Sequence, residues 1–367
     1  MRKNTEVVRL DPRHPDRDLI SRAAETIRRG GLVAFPTETV YGLGADGMSA
    51  EAVANLFRAK GRPPSNPLTL HVWAVDEVRC IVREVPPAAS LMMERFWPGP
   101  LTLILPRGRG IPDVTTAGLD SVGVRMPDHP VALSVIEAAG RPLAVPSANL
   151  SGRPSPTCAA HVLEDLDGLV DMVLDAGPAG LGIESTVLDL TAVPPVIRRP
   201  GAIAAPELVA LIGDIVLDSP ESAPGAGSGL GATRRFEHYV PAVPAILVRG
   251  TAAEVSRALV SLCEGYREKG KKVGVVASSE TAPLLTSAVV RVAGSRRTLE
   301  SIAKGFFGCL RDLEEAAVDV VLLEGVDDTG LGQAIMDRMA QAARGNVLDA
   351  REIAGGCGLP GNRSSPP

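Results

Sequence analysis

Short apolar runs of strand length alternate with helical patterns from the start of this chain to about Ile212. Strand-like runs separated by helices are typical of α/β domains, in which helices cover a sheet. The pattern therefore predicts one α/β domain with a mixed sheet. The plainest of these runs are residues 32–35, 101–105, 143–145 and 186–190.

The composition changes between Asp218 and Pro244, where Ser, Pro, Gly and Ala dominate. Such a segment is typical of a linker. A regular strand–helix–strand order follows and predicts a smaller, Rossmann-like α/β domain with a parallel sheet. Its runs are strands at 245–248, 273–276, 289–292 and 320–323 and helices at 252–269 and 299–317. We therefore expect domains at 1–217 and 245–350, a linker at 218–244 and a disordered tail at 351–367.

The composition limits the possible functions. A formal net charge of -5 argues against a dedicated nucleic-acid-binding surface, and 3% aromatic residues leave little material for stacking on bases. The five cysteines are widely spaced, so neither disulfide bonds nor a structural zinc site is expected. We expect a soluble, cytoplasmic protein, because neither an apolar leader nor a long uncharged apolar run is apparent.

Hydroxyl side chains and glycines follow the apolar run at 32–35. The segment 35–44 reads Phe-Pro-Thr-Glu-Thr-Val-Tyr-Gly-Leu-Gly and places the hydroxyls of Thr37 and Thr39 beside a sharp turn. Ligands of open α/β sheets bind at such strand ends, although the pattern alone is more typical of a simple turn. Because the chain has no G-x-x-x-x-G-K-[ST] sequence, a bound ATP would need another device for its phosphates.

A charged residue occupies an apolar position of a well-delimited helix. The helix is predicted at 50–60, because Ser49 is a good N-cap and Gly61 a good C-cap. Lys60 comes seven residues after Val53, on the same apolar stripe. Taken alone, Lys60 is more typical of a lysine that extends from a helix end into solvent.

Further polar residues after this helix favour a ligand site. Arg62 follows two residues after Lys60, and Asn66 and His71 come soon afterwards. Two cations, an amide and an imidazole near one cleft are suited to an anionic polyphosphate.

A second polar segment follows the run at 143–145. Ser147 and Asn149 precede a helix that we expect to begin near residues 155–157, because proline is favoured in a first helical turn. Helix N-terminal amides together with hydroxyls such as that of Thr157 can hold a phosphate, although ordinary helix capping explains the same residues.

Two arginines each end an apolar run. Arg125 ends the sequence Val-Gly-Val-Arg, and Arg199 ends Ile-Arg-Arg. Either could be a surface residue, but a guanidinium at a strand end is suited to bind a ligand carboxylate through two hydrogen bonds.

Taken together, these segments resemble the family of L-threonylcarbamoyladenylate synthases, in the two-domain form with a YrdC-like domain and a C-terminal Sua5 domain. The resemblance extends from about Leu19 to Pro206 and is specific, because all the motifs occur in order. In the second part, residues 330–339 resemble the closing helix motif of that family, and His238-Tyr239 resembles its linker motif. The motifs of the first part are the proline-threonine segment, Lys60-Gly-Arg-Pro63, Ser147-Ala-Asn149, Ser151-Gly152 and Glu184-Ser-Thr186.

The resemblance implies a twisted mixed sheet of the YrdC type and a nucleotidyltransferase reaction. ATP, L-threonine and bicarbonate would give threonylcarbamoyl-AMP and pyrophosphate, for the t6A modification of tRNA position 37. The cofactor would be Mg²⁺ that arrives with ATP, without protein ligands. The product would pass to the tRNA threonylcarbamoyltransferase machinery, no membrane would be involved, and stable tRNA binding is left open.

The resemblance also assigns roles to residues. Lys60 and Arg62 would be catalytic through charge stabilisation, without a covalent nucleophile. Threonine would bind at Thr39, His71, Arg125, Ser147 and Ser185. ATP would bind at Lys60, Arg62, Asn66, Ser121, Asn149, Thr157, Arg199 and Tyr239.

The linker departs from the family pattern. Where the family has a Ser-Pro-Gly-Met type run, this chain has Ala-Thr-Arg-Arg-Phe-Glu before His238. In the family this linker folds over the active site, so the role of Tyr239 is the one that the departure affects most.

Two other interpretations stay open. Hydrogenase-maturation carbamoyltransferases, which form carbamoyl adenylates, contain a similar domain, but they also carry zinc-finger cysteine pairs that this chain lacks. An RNA-binding or ribosome-maturation module would lose RNA affinity in a salt-dependent way on substitution of Lys60 and Arg62 and would show no threonine-dependent turnover.

Overall fold

The computed structural model describes residues 3–218 and 238–354 of the chain. These belong to two compact units, Met1–Glu237 and His238–Pro367. Most of the linker predicted at 218–244 and most of the tail predicted at 351–367 lie outside the described residues. A short helix, Ala350–Ala354, covers the first residues of the predicted tail.

The first unit alternates strands and helices, as its apolar pattern predicts. In chain order its elements are β1 (Glu6–Arg9), α1 (Arg17–Arg28), β2 (Val33–Pro36), β3 (Tyr41–Asp46), α2 (Ala50–Lys60), β4 (Thr69–His71), α3 (Val78–Ile81), α4 (Pro87–Phe96), β5 (Leu101–Pro106), α5 (Asp113–Thr116), β6 (Ser121–Arg125), α6 (Pro130–Ala139), β7 (Leu143–Ala144), α7 (Ala159–Leu166), β8 (Met172–Asp175), β9 (Thr186–Asp189), β10 (Val196–Arg199), α8 (Ala205–Ile212) and β11 (Val216–Leu217).

The strands of the first unit form one mixed sheet. Within the described residues it has 11 strands in the order β1-β8-β2-β3-β7-β4-β6-β5-β9-β10-β11. Strand β2 pairs antiparallel with β3, and β5 pairs antiparallel with β6, whereas β4 pairs parallel with β6. The predicted mixed sheet is therefore confirmed.

Among the described residues, two apolar cores stabilise this sheet. Because side chains alternate along a strand, neighbouring residues of β2 enter different cores. Ala34 packs in the core that contains Leu56 of α2, and Phe35 packs in the core that contains residues of α1 and α6. Burial on both faces explains why β2 is apolar without a polar alternation.

The second unit is a smaller α/β structure. In chain order its elements are β12 (Ala245–Arg249), α9 (Ala252–Glu268), β13 (Val273–Ser278), β14 (Val289–Gly294), α10 (Leu299–Glu315), β15 (Val320–Glu324), α11 (Leu331–Ala342), β16 (Val347–Asp349) and α12 (Ala350–Ala354). In the part of the unit that the structure describes, five strands in the order β14-β13-β15-β12-β16 pair in parallel. The predicted parallel sheet is confirmed.

Helix α2 has the bounds that the sequence predicts. The Ser49 side chain accepts a hydrogen bond from the backbone N–H of Ala52, which caps the first turn. Gly61 ends the helix in the left-handed conformation with φ 59°, which glycine adopts without a steric penalty. Lys60 is only 2% exposed, so its position on the apolar stripe is confirmed.

Helix α7 begins later than the sequence suggests. The helix expected to begin near residues 155–157 starts at Ala159. The hydroxyl of Ser155 donates to Glu184, and the carbonyl of Pro156 accepts from the backbone N–H of Tyr41, so tertiary contacts hold this segment in a loop. Across the described residues of both units, no helix has the length and apolar character needed to span a membrane.

Candidate active site

Thr39 and Arg125 meet in the first unit. Nη2 of Arg125 donates to Oγ1 of Thr39 at 3.0 Å, and its Nε donates to the carbonyl of Gly99 at 3.3 Å. The Thr39 hydroxyl also lies 2.8 Å from that of Thr37, and both threonines are buried. The turn between β2 and β3 therefore does more than reverse the chain, because its Thr39 binds the guanidinium of Arg125 from β6.

His71 lies beside Arg125 on the next strand. The two residues are register partners in the parallel pairing of β4 with β6. Burial lowers the pKa of His71 well below its ordinary value, and the positive charge of Arg125 lowers it further. The imidazole is therefore neutral near pH 7, and its buried Nδ1 has no hydrogen-bond partner among the described residues.

Ser185 and Arg199 form a second group close to this one. Nε of Arg199 donates to the Ser185 carbonyl and its Nη2 to the Ser185 hydroxyl, both at 3.1 Å. The Ser185 hydroxyl lies 2.8 Å from that of Thr102. Two consecutive residues link these groups. The carbonyl of Gly99 accepts a hydrogen bond from Arg125, and the carbonyl of Pro100 accepts one at 3.0 Å from the backbone N–H of Thr186, which follows Ser185.

Lys60 is held by the loop that follows β7. Its ammonium donates to the carbonyl oxygens of Ser147 and Asn149, and its own carbonyl accepts from the N–H of Ser151 at 2.8 Å. Burial holds the pKa of Lys60 well below its ordinary value, and the nearby Arg62 lowers it further. Lys60 thus fixes the position of this loop from inside the protein.

The same loop runs beside the start of β3. The N–H of Ala148 donates to the carbonyl of Tyr41 at 2.8 Å, and Ser147 forms a bridge with Gly42. We call Lys60, Arg62 and the loop at residues 147–151 the Lys60 group, and Thr39, His71, Arg125 and Ser185 the Arg125 group. Tyr41 is two residues from Thr39, so the turn before β3 connects the Lys60 group to the Arg125 group.

Arg62 and Asn66 bind each other. Nη2 of Arg62 donates to Oδ1 of Asn66 at 2.6 Å and to the carbonyl of Pro67 at 2.8 Å, while its Nε donates to the Asn66 carbonyl at 3.0 Å. These bonds fix the guanidinium plane. The Asn66 amide nitrogen is buried and without a hydrogen-bond partner in the described part of the chain.

Three other predicted nucleotide contacts are buried in the first unit. Asn149 donates through Nδ2 to the carbonyls of Leu150 and Arg153, and its Oδ1 has no partner among residues 3–218 and 238–354. Thr157 lies with Oγ1 3.3 Å from Nδ1 of His161. Ser121 is the first residue of β6 and is 7% exposed.

Tyr239 belongs to the second unit. Its ring packs against Phe307, with 5.2 Å between the ring centroids, and the guanidinium of Arg338 lies 5.4 Å from its centroid. Its backbone has φ 63°, an uncommon conformation for a residue other than glycine. The predicted nucleotide contact of Tyr239 stays a prediction.

The sequence interpretation missed Glu38. Nη2 of Arg125 lies 2.7 Å from its Oε1, yet the approach is not aligned as a hydrogen bond, and both carboxylate oxygens are buried without a hydrogen-bond partner among the described residues. Its position between Thr37 and Thr39 was a usable signal, but a glutamate in a turn is usually exposed. Only the burial distinguishes Glu38 from a surface residue.

The first unit brings several cationic side chains and buried hydrogen-bonding groups together. No group of three or more His, Cys, Asp or Glu residues that could hold a metal ion occurs in the described parts of the two units. The cysteines that the structure describes, Cys80, Cys158, Cys263 and Cys309, are free thiols. The arrangement can bind anions through Lys60, Arg62, Arg125 and Arg199 and can donate and accept hydrogen bonds through buried hydroxyls and amides.

Comparisons with known proteins identify both parts of the chain. A family model described as "Telomere recombination" (Sua5_yciO_yrdC) matches residues 25–201, and one described as "Threonylcarbamoyl-AMP synthase, C-terminal domain" matches residues 207–344. A threonylcarbamoyl-AMP synthase of Pyrococcus abyssi is 44% identical over 326 residues, which are 89% of this chain and 94% of the relative. One of Bacillus subtilis is 41% identical over 333 residues, which are 90% of this chain and 94% of the relative.

A solved structure agrees with these matches. The crystal structure of P. abyssi Sua5 complexed with L-threonine is similar with a TM-score of 0.85 and 41% identity, and the match covers 94% of this chain and 99% of the other. The resemblance inferred from the motifs is thereby confirmed.

Proposed function

The chain belongs to the family of threonylcarbamoyl-AMP synthases, and we propose that it joins L-threonine, bicarbonate and Mg-ATP into threonylcarbamoyl-AMP with release of pyrophosphate. It is an enzyme of tRNA processing, and its product serves t6A formation. The product passes to a tRNA threonylcarbamoyltransferase. The cytoplasmic location expected from the sequence stays a prediction.

Buried polar atoms without hydrogen-bond partners among the described residues support the residue assignments of this proposal. Three residues that the motifs single out, Asn66, His71 and Asn149, each have a buried polar side-chain atom without a hydrogen-bond partner among the described residues. Such an atom costs on the order of 1–3 kcal/mol, and native proteins rarely tolerate it without a reason. Substrates that bind these atoms would recover that free energy.

The Arg125 group is suited to threonine. A guanidinium can hold the substrate carboxylate through two hydrogen bonds, and the buried hydroxyls of Thr39 and Ser185 can bind its polar groups. We propose that neutral His71 contacts the same substrate, with Nδ1 as hydrogen-bond donor or acceptor. We also propose that Ser147, in the loop after β7, completes the threonine site.

The Lys60 group is suited to the nucleotide. Arg62 is oriented by its bonds to Asn66, so its charge can stabilise the negative charge that develops on the α-phosphate. Lys60 has three N–H donors when protonated, and two of them hold the loop at residues 147–149. We assign ATP contacts to Lys60, Arg62 and the remaining nucleotide residues named from the sequence, which are Asn66, Ser121, Asn149, Thr157, Arg199 and Tyr239.

The chemistry then needs no covalent enzyme intermediate. The threonine amine and bicarbonate form a carbamate and water, and a carbamate oxygen attacks the α-phosphate while pyrophosphate leaves. Positioning and charge stabilisation are the dominant contributions of a protein to such a transfer. We propose that Mg²⁺ enters as part of the nucleotide substrate.

The test is pyrophosphate release from Mg-ATP with threonine and bicarbonate, with each component omitted in turn and the adenylate identified by mass. We expect release only when all three are present, together with the mass of threonylcarbamoyl-AMP. Release without threonine would contradict the proposal and favour carbamoyl-adenylate chemistry. No release from folded protein would also contradict it and favour an RNA-binding role.

A further inference from the structure

The carboxylate of Glu38 lies inside the proposed threonine site and lacks hydrogen bonds. Its side chain is 12% exposed, and neither Oε1 nor Oε2 has a hydrogen-bond partner among the described residues. A carboxylate can accept about four hydrogen bonds, and a buried one is unfavourable unless it is paired and hydrogen-bonded. Contact with Arg125 at 2.7 Å supplies a charge partner without an aligned hydrogen bond, so Glu38 retains unused acceptor capacity.

Among the described residues, charged and titratable side chains near Glu38 come from β6, from β4 and from the loop that leads into α6. Arg125 at the end of β6 is the cation in contact, and His71 of β4 lies beside it. His129, the N-cap of α6, is close enough to interact electrostatically with Glu38, but burial lowers its pKa below the ordinary value of 6.5. Asp128 is exposed to solvent. Near pH 7 both histidines are therefore neutral, and Arg125 is the cation that balances Glu38.

This balance changes when a ligand carboxylate binds Arg125. Two carboxylates would then share one guanidinium in a buried site, which leaves an unbalanced negative charge. An α-amino acid neutralises this negative charge itself, because its ammonium group is attached to the carbon that bears the carboxylate. Side by side, Arg125 and Glu38 are complementary in charge to an amino-acid zwitterion.

Building on the proposed function, we propose that Glu38 binds the α-ammonium group of the amino-acid substrate and thereby determines specificity for an amino acid over a carboxylic acid of the same shape. The ammonium group donates hydrogen bonds to Oε1 and Oε2, which supplies the partners that they lack. Glu38 thus holds the amino group of the substrate in a fixed orientation while Arg125 holds the carboxylate, and the ammonium group releases one proton to solvent before its nitrogen forms the carbamate.

The test compares two ligands that differ only at the amino group. Equilibrium binding of L-threonine and of (2S,3R)-2,3-dihydroxybutyrate is measured by calorimetry without ATP, for the unsubstituted protein, Glu38→Gln and Glu38→Asp. The control is Glu51→Gln, the same chemical change at an exposed residue in the first turn of α2. Circular dichroism and thermal unfolding establish that each variant folds.

We expect the unsubstituted protein and Glu51→Gln to prefer threonine over the hydroxy acid. Glu38→Gln should reduce that preference about ten- to a hundredfold, the range of a hydrogen bond to a charged group, and Glu38→Asp should reduce it less. A purely structural role would weaken both ligands equally and leave the ratio unchanged.

Several outcomes would overturn the inference. An unchanged ratio in folded Glu38→Gln would do so, and so would an unsubstituted protein that binds both ligands equally, whether or not any variant folds. Unsubstituted protein that binds neither ligand and releases no pyrophosphate in the omission assay would overturn the proposed function as well. Normal turnover together with an unchanged ratio would remove only the role of Glu38.

Discussion

Lys60 donates a hydrogen bond to the carbonyl of Ser147, a residue 87 positions further along the chain. A second bond to the Asn149 carbonyl makes Lys60 a buried clamp on the loop after β7. Helix α2 and this loop therefore hold one another in place, and the proposed nucleotide site depends on that contact.

Substitution of Lys60 tests this clamp. Lys60→Met keeps the length of the side chain but removes both donors, so we expect pyrophosphate release to fall by about 100- to 1,000-fold. Stability in urea should also fall by on the order of 1–3 kcal/mol, because two buried carbonyls lose their partner. Lys271→Met, at an exposed lysine, is the control and should change neither quantity. Full activity of folded Lys60→Met would contradict the assignment.

Arg125→Lys tests the geometry of the threonine site. Lysine keeps the charge but loses the planar fork that reaches Thr39, Gly99 and a ligand carboxylate together. We expect the KM for threonine to rise by about 10- to 100-fold, with a much smaller change in the KM for ATP. Steady-state kinetics with each substrate varied separately measure the two values. Arg22→Lys, at an exposed arginine, is the control, and an equal rise in both KM values would count against a threonine-specific role.

His71 should make stability depend on pH. Its pKa in the folded protein lies well below the ordinary value of 6.5, so between these values the unfolded chain binds a proton that the folded protein does not. Stability is then lost as the pH falls below about 6.5, with a slope of up to about 1.4 kcal/mol per pH unit. His129, whose pKa is also lowered, adds to the same trend.

The measurement is urea unfolding between pH 7.5 and 5. His71→Gln should show a shallower loss of stability than the unsubstituted protein, because a histidine with a lowered pKa in the folded protein is gone. Identical slopes for the two proteins would refute the prediction.

Gly61 tests whether backbone conformation at the end of α2 matters for the site. Alanine there would meet no atom within 4 Å, so its cost comes from the left-handed conformation at φ +59° and should be about 1 kcal/mol. Gly30→Ala carries the same kind of strain at φ +81°, also without a close contact. Both variants should lose similar stability in urea.

Only the Gly61 variant should also lose activity, because Gly61 lies between Lys60 and Arg62. We expect a fall of about tenfold or more in pyrophosphate release for Gly61→Ala, measured at a temperature where both variants are folded, and little change for Gly30→Ala. Equal activities would indicate that the site tolerates movement of the helix end.

Local signals in the sequence predict both ends of α2. Ser49, the apolar stripe and Gly61 determine these ends through contacts with neighbouring residues of the same helix. They fail at α7, where Ser155 and Pro156 would suit a first helical turn but are held by Glu184 and Tyr41 from distant segments. Residue types near strand ends likewise predict Thr39 and Arg125 as site residues, but they do not predict that the two side chains form a hydrogen bond.

The burial of Glu38 could not be predicted from the sequence. Whether a glutamate in a turn is solvated or buried depends on residues far along the chain, here Arg125. The unpaired atoms of Asn66, His71 and Asn149 are equally invisible in a single sequence, because a missing partner can be recognised only when the surroundings are known.

The order of strands in the large sheet has a consequence for how the protein is made. Strand β1 pairs with β8 in a register that joins Glu6 to Met172, and β2 also pairs with β8. A growing chain on the ribosome therefore cannot complete this part of the sheet until residue 172 has left the exit tunnel. Contacts between such distant residues slow folding and leave strand edges exposed. During synthesis the edges of β1 and β2 that pair with β8 should consequently stay unpaired until β8 is available.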